Sequence, residues 1–247
     1  MKKLVHSILR RLGYRIVRIE EGPRPSEGLN PFFALLKRHG FAPKHILDIG
    51  ANRGMWTREA IKFFPEARYT LVEPQDELNT NIEDLLERGF KIQWINAGAS
   101  DRPGTLPFTI AASDGSSTFA LTAEQARAAG LEQILVPVKT LNEIAASAGG
   151  DLPDMVKIDA EGLDLRVLAG ASELLGKTEI FLVEAVVCAG GYENTAAEVV
   201  KFMSEKGYRL IDVTDMNRSP RHGVLWVCEL AFLRNGSSLF EATTSYE

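Results

Sequence analysis

The sequence predicts an α/β fold, a doubly wound and mostly parallel sheet of seven strands. Three observations carry that reading. Short apolar runs alternate with helix-period segments through the first hundred residues, the β-α-β-α-β order of a parallel sheet with right-handed crossovers. The first run, residues 46–49, breaks into Gly50 and Gly54 and then opens a helical segment, the strand–turn–helix entry of a βαβ unit. The last two apolar runs have no helix between them, which predicts an antiparallel final strand closing the sheet.

Taken in order, residues 1–29 form an appendage and residues 30–247 the main domain. Leu4, Val5, Ile8, Leu9 and Leu12 share one helical face beside Lys2, Lys3, Arg10 and Arg11. Residues 14–19 then alternate like a short strand. Two readings stand for residues 1–19: a cap helix packed on the domain, or a basic amphipathic contact with an anionic membrane surface or a partner. Pro23 and Pro25 mark a linker. Helices are expected over 31–38, 56–64, 76–88, 140–147, 163–175 and 194–206, and strands over 68–72, 91–95, 155–159, 179–183, 208–213 and 224–233. Residues 105–110 and 134–138 read as a β-hairpin insertion after the third strand, joined through the Gly- and Ser-rich loop 113–118. Residues 214–223 read as a loop.

At 247 residues the chain holds one large domain, and its net charge of −5 argues against general nucleic-acid binding. Cys188 and Cys228 both lie in apolar runs, which favours two buried thiols in a reducing compartment over a disulfide. No apolar stretch reaches membrane-spanning length. A cytoplasmic location is expected, with the inner face of the membrane as a second option through residues 1–19. Oligomeric state stays open, a homo-oligomer included.

The turn after residue 49 specifies a ligand class. A dinucleotide site wants Gly-x-Gly-x-x-Gly against a pyrophosphate. Counted from Gly50, the second and third glycine places hold Asn52 and Met55, so that fingerprint is broken. Asp48-x-Gly50-x-x-x-Gly54, followed by Glu73 at the end of the next run, suits S-adenosylmethionine, which has a ribose but no phosphate. A plain structural corner is the alternative.

Five blocks occur in register: Asp48-Ile-Gly50-Ala-Asn52-Arg-Gly54-Met-Trp56, Val72-Glu73-Pro74, Asn96-Ala-Gly-Ala-Ser100-Asp101, Gly115-Ser116-Ser117 and Lys157-Ile-Asp159-Ala-Glu161-Gly162. Together they resemble the FkbM-type methyltransferases over roughly residues 45–233. The resemblance implies a Rossmann-like class I methyltransferase fold that uses S-adenosylmethionine to methylate oxygen. It also implies an acceptor hydroxyl on a sugar of a glycan, glycolipid or natural product. Asp164 departs from the family pattern, where a glutamate is more usual, and its shorter reach leaves a catalytic role there in question.

In open α/β sheets the ligand lies beyond the carboxyl ends of the strands. Asp48, Gly50, Asn52 and Gly54 are then assigned to the loop beside the methionine part, and Glu73 to the ribose hydroxyls. Asn96, Ser100 and Asp101 are assigned near adenine, although Asp101 also reads as a turn residue before Pro103-Gly104. A neutral alcohol needs a base, and Asp159, Glu161, Glu184 and His222 are the candidates. Asp159 also reads as a partner for the methionine amino group, and Glu161 as a carboxylate favouring the next helix N-terminus. His222 also reads as a solvated loop residue. Ser116, Ser117 and Lys157 are candidate substrate contacts; the loop also reads as a plain connection, and Lys157 as a structural partner for the acids. The same acids with His222 suit a hard divalent cation in type, yet no tight ligand spacing supports a metal. Two rival functions remain: a nicotinamide oxidoreductase on a similar fold and a noncatalytic relative that binds a partner.

Overall fold

The computed structural model describes residues 28–111, 117–188 and 190–240. The expected basic helix and strand over 1–19, and Gly115 and Ser116 of the insertion loop, lie outside the described residues.

Seven strands form one sheet in the order β3-β2-β1-β7-β8-β10-β9. They are β1 (His45–Ile49), β2 (Arg68–Glu73), β3 (Ile92–Asn96), β7 (Met155–Ile158), β8 (Ile180–Val186), β9 (Tyr208–Arg218) and β10 (Leu225–Arg234). Only β10 runs antiparallel to its neighbours, between β8 and β9. The chain order turns back between β1 and β7, so the crevice of an open α/β sheet is expected above their carboxyl ends. The insertion is a separate sheet, in which β6 (Glu132–Lys139) pairs antiparallel with β5 (Gly104–Ile110) and parallel with the two-residue β4 (Gly98–Ala99).

Alternation along the strands divides the core. Leu47, Val156, Phe181 and Val183 join one cluster and Ile46, Met155, Ile180 and Leu182 the other, because successive side chains leave opposite faces. On the second face pack α1 (Leu29–Arg38) and α2 (Met55–Phe63), through Phe32, Phe33, Leu36 and Ala60. The first face carries α5 (Leu141–Ser147), α6 (Asp164–Ala169) and α7 (Ala196–Glu205), through Leu141, Val167 and Val199. Thr140 and Glu143 close a capping box on α5, and the Thr195 side chain caps α7.

Several expected elements change. Residues 76–88 are a 3-10 segment, Asp76–Ile82, followed by the short α3 (Glu83–Glu87). The helix expected over 163–175 stops at Ala169, where a Cβ on Gly170 would lie 2.4 Å from the Ser100 carbonyl. The insertion also contains α4 (Ala123–Ala128), capped by a Thr122–Gln125 box. The loop expected over 214–223 is strand as far as Arg218. Cys228 is buried but Cys188 is exposed, and both are free thiols. Among the described residues, no helix is long and apolar enough to cross a membrane.

Candidate active site

A cleft of about 1180 Å³ opens above the carboxyl ends of β2, β1, β7, β8 and β9 and the amino end of the antiparallel β10. Its walls hold seven carboxyl side chains against two basic ones, Arg53 and Lys157.

The turn after β1 is shaped by contacts within the chain. Gly50 has φ +72°, and a Cβ there would stand 1.8 Å from the Asp159 carbonyl oxygen. Gly54 also has φ +72°, and a Cβ there would meet Ile82 at 2.8 Å. Both positions require glycine for chain packing, whatever ligand lies beyond. Asp48 is buried beneath the turn, accepting from Thr57 Oγ1 at 2.5 Å.

Lys157 ties this turn to β7. Its Nζ donates to the Gly50 carbonyl at 3.0 Å and lies 3.4 Å from Asp48 Oδ1 and 3.3 Å from Asp159 Oδ2. Burial opposes its charge, but Asp159, Asp48 and Glu229 outweigh burial and hold the ammonium above its usual range. Lys157 lines the cleft, yet its amino group is spent on the chain's own acids.

Glu73 ends β2 and is 4% exposed. Asn52 N–H donates to its Oε2 at 2.9 Å, and Gln75 N–H to its Oε1 at 3.0 Å. Burial pushes this carboxyl up, while the bonds from Gln75 and Asn52 pull it back. Asn52 itself takes φ +46°, a left-handed conformation that asparagine tolerates better than most residues.

The third block sits differently from its expected place. Ala97, Gly98 and Ala99 line the cleft, whereas Asn96, Ser100 and Asp101 do not. The Asn96 amide donates to the carbonyls of Glu73 and Pro74 at 3.3 and 3.0 Å. Asp101 takes two bonds from Arg166, at 2.8 and 2.9 Å, and one from Ser100. Arg166 holds the Asp101 carboxyl below its ordinary range. This aspartate anchors α6 through Oδ1 and stands outside the cleft walls.

Beyond β7 the acids gather. Glu161 stands at φ +51°, and its carbonyl accepts from Thr118 Oγ1 at 2.9 Å. That bond draws the insertion across the cleft, with Ser117, Thr118 and Phe119 among the walls. Ser117 is 2% exposed, and its Oγ accepts from Ala111 N–H. Burial, then Asp159 and Asp164, push the Glu161 carboxyl up to about 9. Glu184, within β8 rather than at its end, is likewise held well above the ordinary range, mainly by burial. Asp164 is fully buried and lies outside the cleft walls. It accepts from Ala160 N–H at 2.9 Å and Asn194 Nδ2 at 2.7 Å, which makes it a brace for the loop after β7.

His222 does not reach the site. It is exposed in the turn at the tip of the β9–β10 hairpin and is absent from the cleft walls. Strand β9 continues to Arg218, so the tip stands beyond the sheet edge. Glu229, Asp215, Asn194 and Trp226, by contrast, all line the cleft and were missed by the sequence reading. Only Glu229 carries a sequence signal, a lone carboxylate inside the apolar run of β10. Among the described residues, no three His, Cys, Asp or Glu side chains converge to hold a metal.

Comparisons with known proteins extend the picture. The chain is 24% identical over 155 residues to "2-O-methyltransferase NoeI" of Sinorhizobium fredii (strain NBRC 101917 / NGR234), a match covering 56% of this chain and 62% of that protein. The match thus spans less than two thirds of that relative. Among solved structures, N-methyltransferase NodS from Bradyrhizobium japonicum WM9 aligns with TM-score 0.47 and 11% identity, covering 83% of this chain and 94% of that one. The Burkholderia thailandensis 1,6-didemethyltoxoflavin-N1-methyltransferase aligns with TM-score 0.46 and 17% identity, over 85% of this chain and 79% of that one. The fold rests on the strand order above rather than on these distant overlaps. The profile described as the methyltransferase FkbM domain matches residues 48–210, from the aspartate under the glycine turn into β9, and the chain belongs to that family.

Proposed function

We propose that this chain transfers a methyl group from S-adenosylmethionine to a hydroxyl oxygen of a sugar. The observation that carries the reading is Glu73, a buried carboxylate at the end of β2 whose two oxygens are aimed by Asn52 and Gln75. Fixed in this way, it is placed to accept hydrogen bonds from a pair of vicinal ribose hydroxyls. The charge of the cleft supports the same cofactor. S-adenosylmethionine carries a net positive charge from its sulfonium and ammonium against one carboxylate, and acids still outnumber the two bases of the cleft when Glu161 and Glu184 are set aside as protonated by burial. A dinucleotide's pyrophosphate would enter the same acidic walls at a cost, and this electrostatic argument weighs against the oxidoreductase rival.

When bound, S-adenosylmethionine supplies a methyl group activated by the adjacent positive sulfur. The protein has two tasks: to align the acceptor oxygen behind that methyl and to take the hydroxyl proton. Alignment contributes on the order of 7–11 kcal/mol in well-oriented systems. Asp159, half-exposed and tied to Lys157, is placed for the methionine ammonium. Glu161, neutral at pH 7 in the ligand-free cleft, is suited to donating a hydrogen bond rather than to taking a proton. The likeness to NoeI, a 2-O-methyltransferase, supports an oxygen acceptor. The sugar is supported by the polar far wall of Asn194, Asp215 and Asn217 beside the aromatic rings of Tyr192 and Trp226.

The test is incubation of the full-length chain with methyl-tritiated S-adenosylmethionine and a panel of methyl hexosides and deoxyhexosides. Radioactive, acid-stable glycoside, carrying the mass of one added CH₂ group, is expected. Transfer to none of them, with transfer to amines or carboxylates instead, would remove the sugar hydroxyl.

A further inference from the structure

The base has still to be found, and β10 offers it. The sheet sets Glu229 opposite Glu184 of β8 on one side and Asp215 of β9 on the other. The β9–β10 register slips on both sides of this position. Between Leu225 and Val227 the extra residue is Trp226, on β10; between Glu229 and Leu230 it is Thr214, on β9. Bulges re-aim side chains, and they collect beside active sites. The second bulge brings the fully buried Thr214 hydroxyl onto Glu229, where Oγ1 donates to Oε1 at 2.5 Å. Oε1 is thereby held, and Oε2 has no hydrogen bond among the described residues. The first bulge leaves Trp226 on the cleft wall, 40% exposed.

A second observation points to a ligand in the same part of the cleft. Asn194 is 1% exposed and donates Nδ2 to Asp164, so its Oδ1 is left buried without a partner on the cleft wall. An unpaired buried carbonyl is costly, because it has given up water and gained no donor in return. A donor from a bound molecule would satisfy it.

We propose that Glu229 accepts the proton of the acceptor hydroxyl through Oε2, with Thr214 positioning the carboxylate and Asn194 Oδ1 receiving a second donor of the acceptor. The proposal rests on the methyl-transfer reading above. The oxygen–methyl bond forms as the sulfur–methyl bond breaks. The electron pair of the broken bond stays on sulfur, and the hydroxyl proton passes to Glu229. The groups facing Glu229 are Lys157 from β7, Asp159 just after it, Glu184 from β8, and Asp215 and Thr214 from β9. Burial is the largest influence and lifts Glu229 to about 7, with Thr214 and Lys157 pulling it down and Asp159 and Asp215 pushing it up. That value lies in the range where a base works best near neutral pH.

The test uses the full-length chain. Glu229→Gln is expected to lower kcat on the accepted methyl hexoside by about 10²–10⁴-fold, with S-adenosylhomocysteine affinity within about twofold of wild type. Thr214→Val keeps the shape but removes the donor. It is expected to move the acid limb of the rate profile up by about one pH unit, whereas a merely structural threonine would leave the limb in place. Infrared difference spectra of wild type against Glu229→Gln need no acceptor and are expected to show a carboxyl band titrating near 7. Turnover of Glu229→Gln within about threefold of wild type, or no carboxyl titrating between about pH 5 and 9, overturns the assignment. Failure of the wild-type chain to bind S-adenosylhomocysteine overturns the methyl-transfer reading instead.

Discussion

Gly50 and Gly40 both take left-handed backbone, at φ +72° and +85°, but only Gly50 has an atom in the way. An alanine at Gly40 meets nothing within 4 Å, whereas one at Gly50 would strike the Asp159 carbonyl. Gly40→Ala is therefore expected to cost only the ~1–2 kcal/mol of the left-handed conformation, and Gly50→Ala clearly more, in urea unfolding. Equal losses would show that the β1 turn can open without disturbing β7. Glu161 allows a second comparison at this scale. Glutamine reproduces the neutral carboxyl that burial and Asp159 impose, so Glu161→Gln is expected to keep kcat within a few-fold. A loss of about a hundredfold or more would restore Glu161 as the base.

The β9–β10 hairpin decides what the far half of the cleft contains. Its first bulge leaves Trp226 half-exposed on the wall, where a flat apolar ring suits the face of a sugar. Trp226→Ala is expected to raise the acceptor KM roughly three- to tenfold and leave S-adenosylhomocysteine affinity unchanged. A fall in cofactor affinity, with KM intact, would place the ring on the wrong half. The same hairpin marks the boundary of what sequence reading reaches. Apolar runs located all seven strands and the inserted hairpin, most plainly at β1 and β8, where burial on both faces leaves a continuous signal in residues 46–49 and 180–183. The glycine turn and Glu73 were legible for the same reason: one strand and its next neighbour place them. Glu229 and Asp215 were not, since their nearness to Glu184 follows only once β10 is known to lie between β8 and β9. His222 failed in the opposite way. It was assigned from a loop whose first half is strand, and four residues of strand, about 13 Å at the usual rise, separate Glu229 from the start of β10 at Leu225. Ser100 and Asp101 also misled, because a partner 65 residues away, Arg166, claims the aspartate. The shortened α6 depended on the Gly170–Ser100 approach, which residue spacing does not encode.

Over the whole molecule, the cleft and the loop beside it gather buried acids. Asp164, Glu229 and Glu161 are raised to about 6, 7 and 9, each chiefly by burial. A carboxyl raised in the folded state adds stability that is complete below its unfolded pKa and is lost as pH rises through the folded value. Without ligand, the melting temperature is therefore expected to fall between about pH 4 and 9. The cations of S-adenosylmethionine oppose the same repulsion, so the cofactor should flatten that decline. A melting temperature that climbs steadily through this range would contradict the buried-acid cleft. The central claim, that a sulfonium nucleoside binds where β1 and β2 end, is tested most directly by calorimetric titration of the full-length chain with S-adenosylhomocysteine. One site per chain is expected, weakened at least roughly tenfold in Glu73→Ala by loss of the ribose hydrogen bonds, with NADH giving no heat. An unchanged affinity in Glu73→Ala, or no binding by the wild-type chain, would contradict it.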